Sequence, residues 1–321
     1  MAEPSGRLVR RARQDATAPE ARSAEATSWT VSWKEIEPWQ RDNEYILTGY
    51  RRALRSYRGC LASVFGYLHN ETVNIHSHLI GAALFVYILC TRDSAHTTTT
   101  WRDDAVFTIS LSSAIFCLLG SAGMHTFSCH SEPVRLSSYV PGIVSPRPPQ
   151  VCARGHALDY TGIVVLIVGS FFPCIYYGFY CEPRLQWLYL SIISISGIGA
   201  AWIVLDPEYS RPTHRGARTR VFIALGVSAV LPVSHAVLSH GPSKLLYEMG
   251  FGWLILSGAL YIAGALLYAN RIPERYAPGK FDVWFSSHQI FHVHVVVAAL
   301  AHYACVLTAF EHWHSKQGRC Y

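Results

Sequence analysis

Charge is scarce in this chain: Asp, Glu, Lys and Arg supply 15% of its 321 residues, while half are apolar. Soluble domains carry about 25% charge and lack repeated long apolar runs, so an ordinary soluble class is excluded. None of the nine cysteines forms a C-x-x-C pair or a framework spacing, which argues against a zinc-thiolate site and against a small disulfide scaffold. No apolar stretch follows the charged start "MAEPSGRLVRRARQ", so no cleaved signal peptide is read there. Glu3, Asp15, Glu20 and Glu25 speak against a mitochondrial transit peptide, which avoids acids. Residues 1–32 are instead expected to form a disordered cytosolic tail. No internal repeat of fixed period occurs, and the net charge of +6 calls for no nucleic-acid partner once membrane orientation is considered.

What the chain has in abundance is apolar segments of about 18–22 residues, each enough to cross about 30 Å of hydrocarbon as a helix. Seven are read: Val73–Cys90, Ala105–His125, Tyr160–Tyr180, Trp187–Leu205, Val221–Ser239, Tyr247–Tyr268 and Ile290–Phe310. They are apolar all round rather than striped, which predicts an all-α membrane protein, a seven-transmembrane helix bundle. Pro232 is expected to kink the fifth span.

Orientation follows from the Lys and Arg residues. With a cytosolic N-terminus, 21 of 27 lie in segments on the inside; the N-terminus is therefore predicted inside and the C-terminus outside. Cys181 and Cys320 then share the extracytosolic side, where a bridge between them is possible. Residues 33–70 mix aromatics with arginines and suit a short amphipathic juxtamembrane helix, with Tyr45, Ile46, Leu54 and Tyr57 toward the bilayer or bundle and arginines toward headgroups; a solvated, loosely docked segment is the alternative. Residues 71–311 form the seven-span domain and 312–321 a short extracytosolic tail. Ser128–Leu158 reads as a long irregular loop. The membrane itself, plasma membrane or endomembrane, is left open.

Polar groups converge at one depth. Ser121 and His125 close the second span, Asp159 opens the third, and His288 and His292 open the seventh. His288 and His292, at i and i+4, share a helix face, whereas His294 points about 200° away from His292. Three neutral imidazoles without a thiolate suit zinc with one position left for water. Asp159 could accept that water's proton and Ser121 could donate to a developing oxyanion, a set suited to hydrolysing an amide or ester whose chain lies in lipid. The ordinary alternatives are histidines hydrogen-bonded between helices, Asp159 as the N-cap of the third span, and Ser121 as a small packing residue. Glu71, Asn74 and His78 form one stripe at the start of the first span and are read as structural, tying it to the juxtamembrane segment or loops. His235 is expected to line the cavity; His96, His156, His214, His312 and His314 are expected to be solvated.

"WKEIEPW", "DNEYILTGYR", "ETVNIHSHLIG", "MHTFSCHSE", "LDYTGIVVLIVGSFFPCIYYGFYC" and "GALLYANRIPERYAPGKFDVWFSSHQIFHV" together resemble the progestin and AdipoQ receptor family, related to hemolysin III, and closest to its adiponectin-receptor branch. The likeness runs from Trp33 to Phe310, and "NIHSHLIGA" is similar to fungal members. It implies a seven-span protein with a cytosolic N-terminus, zinc on His125, His288 and His292, and Asp159 and Ser121 beside it. It also implies a zinc-dependent amidase releasing a fatty acid from ceramide, together with reception of an extracellular protein ligand. The loop after Ser131 looks longer than in that branch, and the tail "EHWHSKQGRCY" differs from it.

Overall fold

The computed structural model describes residues 29–92, 98–131, 151–206, 209, 212–315 and 320. Its helices are α1 (Tyr57–Gly66), α2 (Thr72–Thr91), α3 (Trp101–Phe127), α4 (Val151–Gly178), α5 (Pro183–Leu205), α6 (Arg215–Val227), α7 (Val230–His240), α8 (Pro242–Glu248), α9 (Phe251–Asn270) and α10 (Ser287–Ser315). Among the described residues seven stretches are long and apolar enough to cross a membrane: α2, α3, most of α4, α5, α6 with α7, α9 and α10. All seven expected spans are therefore helical over most of their length, though the third ends at Gly178 and the sixth starts at Phe251, the expected Tyr247 and Glu248 belonging to α8. Large apolar side chains such as Ile198 and Trp202 lie exposed on the outer surface, a face that lipid rather than water can cover.

α3 packs between α2 and α4, and α10 packs on α9, α2 and α4. Small residues set these approaches. A Cβ on Gly162 would lie 2.9 Å from Cys117 Cα, and one on Gly169, two turns further along the same face, would strike the Ser113 side chain; only glycine lets α3 and α4 close to this distance. α3 starts where it does because Thr100 and Asp103 form a reciprocal cap, with Thr100 N–H donating to Asp103 Oδ2 at 2.8 Å. The fifth span breaks at Ser228–Ala229, between α6 and α7. Proline has no N–H and its ring crowds the carbonyl four residues back, so Pro232 interrupts the helix at Ser228, one turn before itself.

Several expectations are corrected. The tail over residues 1–28 lies outside the described residues, but Thr30–Val31 pairs antiparallel with Tyr50–Arg51, so order begins before residue 33. The 33–70 segment is helical only over Pro38–Gln40 and Tyr57–Gly66. Its arginines do not all face headgroups: Arg51 is buried. The segment is held by distant carboxylates instead. Asp282 accepts from Leu47 N–H at 2.9 Å and Thr48 N–H at 2.8 Å, and buried Glu274 accepts from Asn43 Nδ2 at 3.0 Å. The loop before the third span is shorter than read, because α4 already begins at Val151; residues 132–150 lie outside the described residues.

At the opposite end, α10 continues past its apolar run. His312 and His314 are partly buried, with largely covered side chains, rather than solvated: His314 Nε2 lies 3.0 Å from Asp103 Oδ1, and His312 Nδ1 lies 3.2 Å from Glu248 Oε2. Cys181 and Cys320 form a disulfide, the pairing left possible from sequence. Of the other histidines expected in water, His96 lies outside the described residues.

Candidate metal centre and its cavity

The last turn of α3 meets the first two turns of α10, bringing His125, His288 and His292 together. One ring nitrogen from each lies within 4.8 Å of the others. The three ring centroids are 4.7–4.9 Å apart, with planes inclined by 71–75°. His125 and His292 are buried and His288 is half-buried.

The hydrogen bonds around the rings fix which nitrogens are spent. His125 Nδ1–H donates to Glu71 Oε2 at 2.7 Å, leaving its Nε2 buried without a protein partner among the described residues. His292 Nδ1–H donates to the Asn74 carbonyl at 3.1 Å, so its Nε2 also keeps a lone pair. A carboxylate or carbonyl behind an imidazole is the usual support for a ligating histidine. The donor set therefore fits a metal ion. His125, His288 and His292 would hold such an ion, which would supply Lewis acidity there.

The stripe Glu71, Asn74 and His78 is thus corrected. It serves α3 and α10, the neighbours that α2 packs against, rather than the juxtamembrane segment. Asn74 Nδ2 donates to Glu71 Oε2 at 2.7 Å. The His78 ring stacks on His292 at 3.7 Å with 13° between planes, holding that ring's orientation. Arg51 completes the support. Its guanidinium donates to the carbonyls of His125 at 2.5 Å and Thr126 at 3.0 Å, and to Ser63 Oγ at 2.9 Å and Ser128 Oγ at 3.1 Å. Those carbonyls end α3 and have no partner within the helix. The i, i+3, i+7 spacing signalled a shared face for the α2 residues; nothing in the sequence near Arg51 signalled its partner.

His294 lies away from the cluster, as its rotation predicts: Nδ1–H donates to the Ile290 carbonyl at 2.8 Å, and its side chain packs on Gly264 of α9.

Beside the rings lies a cavity of about 1200 Å³, lined at one end by Ser121, Asp159, His288 and His292 and at the other by Gly178 and Met249. This exceeds the ~300–1,000 Å³ of small-molecule pockets. Asp159 and Gly178 are 19 residues apart on α4, about 28 Å along a helix axis, so the cavity runs through most of the bundle. Its walls are mainly apolar.

Ser121 is buried one turn before His125 and faces this cavity. Asp159 also lines it, and among the described residues no hydrogen bond engages its carboxylate. The N-cap alternative for Asp159 fails, because α4 begins eight residues earlier at Val151. His156 lines the cavity too, contrary to the solvated reading. His235 does not; its Nδ1 shares a hydrogen bond with Tyr189 Oη at 2.9 Å, between α7 and α5.

The N-terminal segment supplies part of the polar rim through Trp39 and Asp42. Asp42 is ion-paired with Arg215, and its backbone carbonyl accepts from Arg271 Nη2 at 2.5 Å. Position at the rim costs Asp42 hydration, which pushes its carboxyl up, but Arg215 and then Arg271 hold it below the ordinary carboxylate value.

Fold and site together define a multi-pass membrane protein with a buried histidine cluster opening on a long intramembrane cavity. A profile of the Haemolysin-III related family matches residues 66–139 and 147–303; the chain belongs to that family, in its adiponectin-receptor-like part. It is 41% identical over 284 residues to the adiponectin receptor protein of Drosophila melanogaster, covering 86% of this chain and 59% of that protein. Progestin and adipoQ receptor-like protein 1 of Caenorhabditis elegans is 38% identical over 298 residues, covering 92% of this chain and 64% of its own length. The ADIPOR-like receptor IZH2 of Saccharomyces cerevisiae is 37% identical over 288 residues, 89% of this chain and 85% of its own. The chain thus spans about three-fifths of the fly and nematode relatives and most of the yeast one.

Proposed function

We propose that this protein is a zinc-dependent lipid amidohydrolase acting on ceramide-like amides inside the membrane. The observation that carries the reading is the His125–His288–His292 cluster, with inward lone pairs, at the polar end of a mainly apolar cavity about as deep as a bilayer's hydrocarbon. Three imidazoles without a thiolate favour zinc over softer or harder ions. A zinc ion there would supply Lewis acidity to a carbonyl and acidity to a water.

The chain's own groups divide the remaining work. The apolar walls take the acyl chain and bring its carbonyl to the histidine end. Asp159 takes a proton from the attacking water as the oxygen adds to the carbonyl carbon. Ser121 Oγ donates a hydrogen bond to the carbonyl oxygen as it gains charge. The C–N bond breaks with its electron pair on nitrogen, and Asp159 returns the proton there. A fatty acid and a sphingoid amine leave. The charge count and the disulfide at the far end favour a cytosolic location for the histidine end.

A second reading has a specific observation behind it. The cluster also joins α3 to α10, and Glu71 and Asn74 add α2, so zinc could be purely structural in a receptor for an extracellular protein. Relatives named as receptors agree with this. The experiment is fatty-acid release from ceramide by purified protein of measured zinc content, with Asp159→Asn and His125→Ala variants. Hydrolysis predicts that Asp159→Asn abolishes release while fold and zinc persist. No release by zinc-loaded wild type across several acyl lengths removes the enzymatic reading.

A further inference from the structure

The cavity is not apolar throughout. Halfway down, Ser170 of α4, Tyr261 of α9 and His302 of α10 line it together, and the same three border a small side pocket. An imidazole and a phenol at that depth give up hydration and need a partner or a task. His302 Nε2–H donates to the Ser170 carbonyl at 2.9 Å. That bond fixes the tautomer and leaves Nδ1 as an acceptor. No hydrogen bond engages the Tyr261 hydroxyl among the described residues, so its donor is unspent within the protein.

Depth can be counted from three helices. His302 is ten residues beyond His292, and Ser170 is eleven beyond Asp159, about 15 and 16 Å along their axes. Tyr261 is seven residues before Tyr268, whose ring lies 4.9 Å from that of His288, about 10 Å further down. The polar station thus sits about 10–16 Å below the histidine cluster. Bonds of about 1.5 Å advance an extended chain by about 1.25 Å each, so the station lies roughly 8 to 13 bonds beyond the carbonyl, at about the ninth to fourteenth carbon of an acyl chain held by its carbonyl at the cluster.

We propose that His302 and Tyr261 form a subsite for a hydroxyl carried in the middle of the acyl chain, so that the cavity selects mid-chain hydroxylated lipids over plain ones. A hydroxyl both donates and accepts: it would donate to His302 Nδ1 and accept from Tyr261 Oη. This inference rests on the reading of the cavity as an acyl-chain channel, and adds to it which chain is preferred.

The experiment measures binding without turnover. Full-length protein in nanodiscs is titrated with octadecanoic, 12-hydroxyoctadecanoic and 2-hydroxyoctadecanoic acids. One added hydrogen bond to an otherwise unspent group is worth about a fivefold to tenfold gain. That gain is expected for the 12-hydroxy acid alone, and Tyr261→Phe and His302→Leu should each erase it while octadecanoic acid still binds. Tyr261→Phe, which keeps the ring and breaks no bond within the protein, decides the matter if His302→Leu fails to fold. Equal affinity of wild type for the 12-hydroxy and plain acids, or a preference that survives Tyr261→Phe, overturns the subsite. Failure of octadecanoic acid to bind at all removes the channel reading and the subsite with it. Binding with the expected preference but no amide hydrolysis leaves the subsite standing and removes only the amidase.

Discussion

Removing the Glu71 carboxylate tests how the centre is built. Glu71 Oε2 accepts from His125 Nδ1–H and from Asn74 Nδ2, both at 2.7 Å. In Glu71→Ala both donors lose their acceptor, and the buried His125 ring becomes free to rotate or change tautomer, presenting Nδ1 instead of Nε2. Loss of such an outer support typically lowers metal affinity about 10- to 100-fold, equivalent to about 1.4–2.7 kcal/mol. Glu71→Gln isolates the charge, since its amide oxygen still accepts both bonds, and should fall between Ala and wild type. The assay is zinc competition against a chelator of known affinity, with bound metal counted after dialysis. His294→Ala is the control: that ring bonds within α10 and packs on α9, so zinc affinity should not move. Zinc held by Glu71→Ala within twofold of wild type, while His125→Ala releases it, would refute the argument that the carboxylate positions the ring.

Other consequences follow from the packing and charges around the site. Arg51→Met removes the charged donors from the carbonyls of His125 and Thr126, leaving them only Ser128 Oγ–H at 3.0 Å and the weak Cys129 thiol, and should cost about 1.5–3 kcal/mol, read as a lower melting temperature in detergent; Arg51→Lys should rescue little, since an ammonium lacks the fork. Gly162→Val places a Cβ 2.9 Å from Cys117 Cα and should destabilise by about 1–3 kcal/mol, whereas Gly123→Ala meets nothing within 4 Å and should fold normally. The Asp42–Arg215 pair predicts an acid limit. Because the folded carboxyl lies below its unfolded value of about 3.9, its stabilisation is complete above that pH and is lost as pH falls through the folded value. Hydrogen-exchange protection of the amides over residues 39–46, taken relative to their intrinsic exchange rates, should hold from pH 7 to about 4 and fall below, an acid response that Asp42→Asn removes; protection already lost near pH 6 contradicts the pairing.

How much was legible in the sequence depended on the range of the forces involved. The seven spans follow from apolar length alone. The i, i+4 spacing of His288 and His292, with the matching depth of His125, sufficed to pick three rings that the fold brings within 4.8 Å. The Pro232 break was legible too, though its place one turn earlier required the carbonyl that proline crowds. What stayed hidden depended on which helices touch. Glu71 looked like a local tether because its partner, His125, is 54 residues away. The 33–70 segment read as a short amphipathic helix on the membrane face because the Asp282 and Glu274 carboxylates that hold it lie more than two hundred residues on. His314 read as solvated because the apolar run ends before it, although Asp103 lies across the bundle to receive it.

The two ends of the bundle show why a buried histidine beside a carboxylate does not by itself make a site. His314 bonds Asp103 through Nε2 at 3.0 Å and Thr98 Oγ1 through Nδ1 at 2.9 Å. Asp103 is meanwhile bonded to Thr100 and to Tyr177 Oη at 2.9 Å. Both ring nitrogens are occupied, and such a cluster fixes helices and has no lone pair left to offer. His125 has the same carboxylate contact on Nδ1, yet its Nε2 has no protein partner among the described residues and lies toward two other imidazoles. Burying an unspent nitrogen costs about 1–3 kcal/mol, a cost with no return in packing. The difference between the ends is thus one uncommitted atom per ring, and that atom is what a metal ion would use.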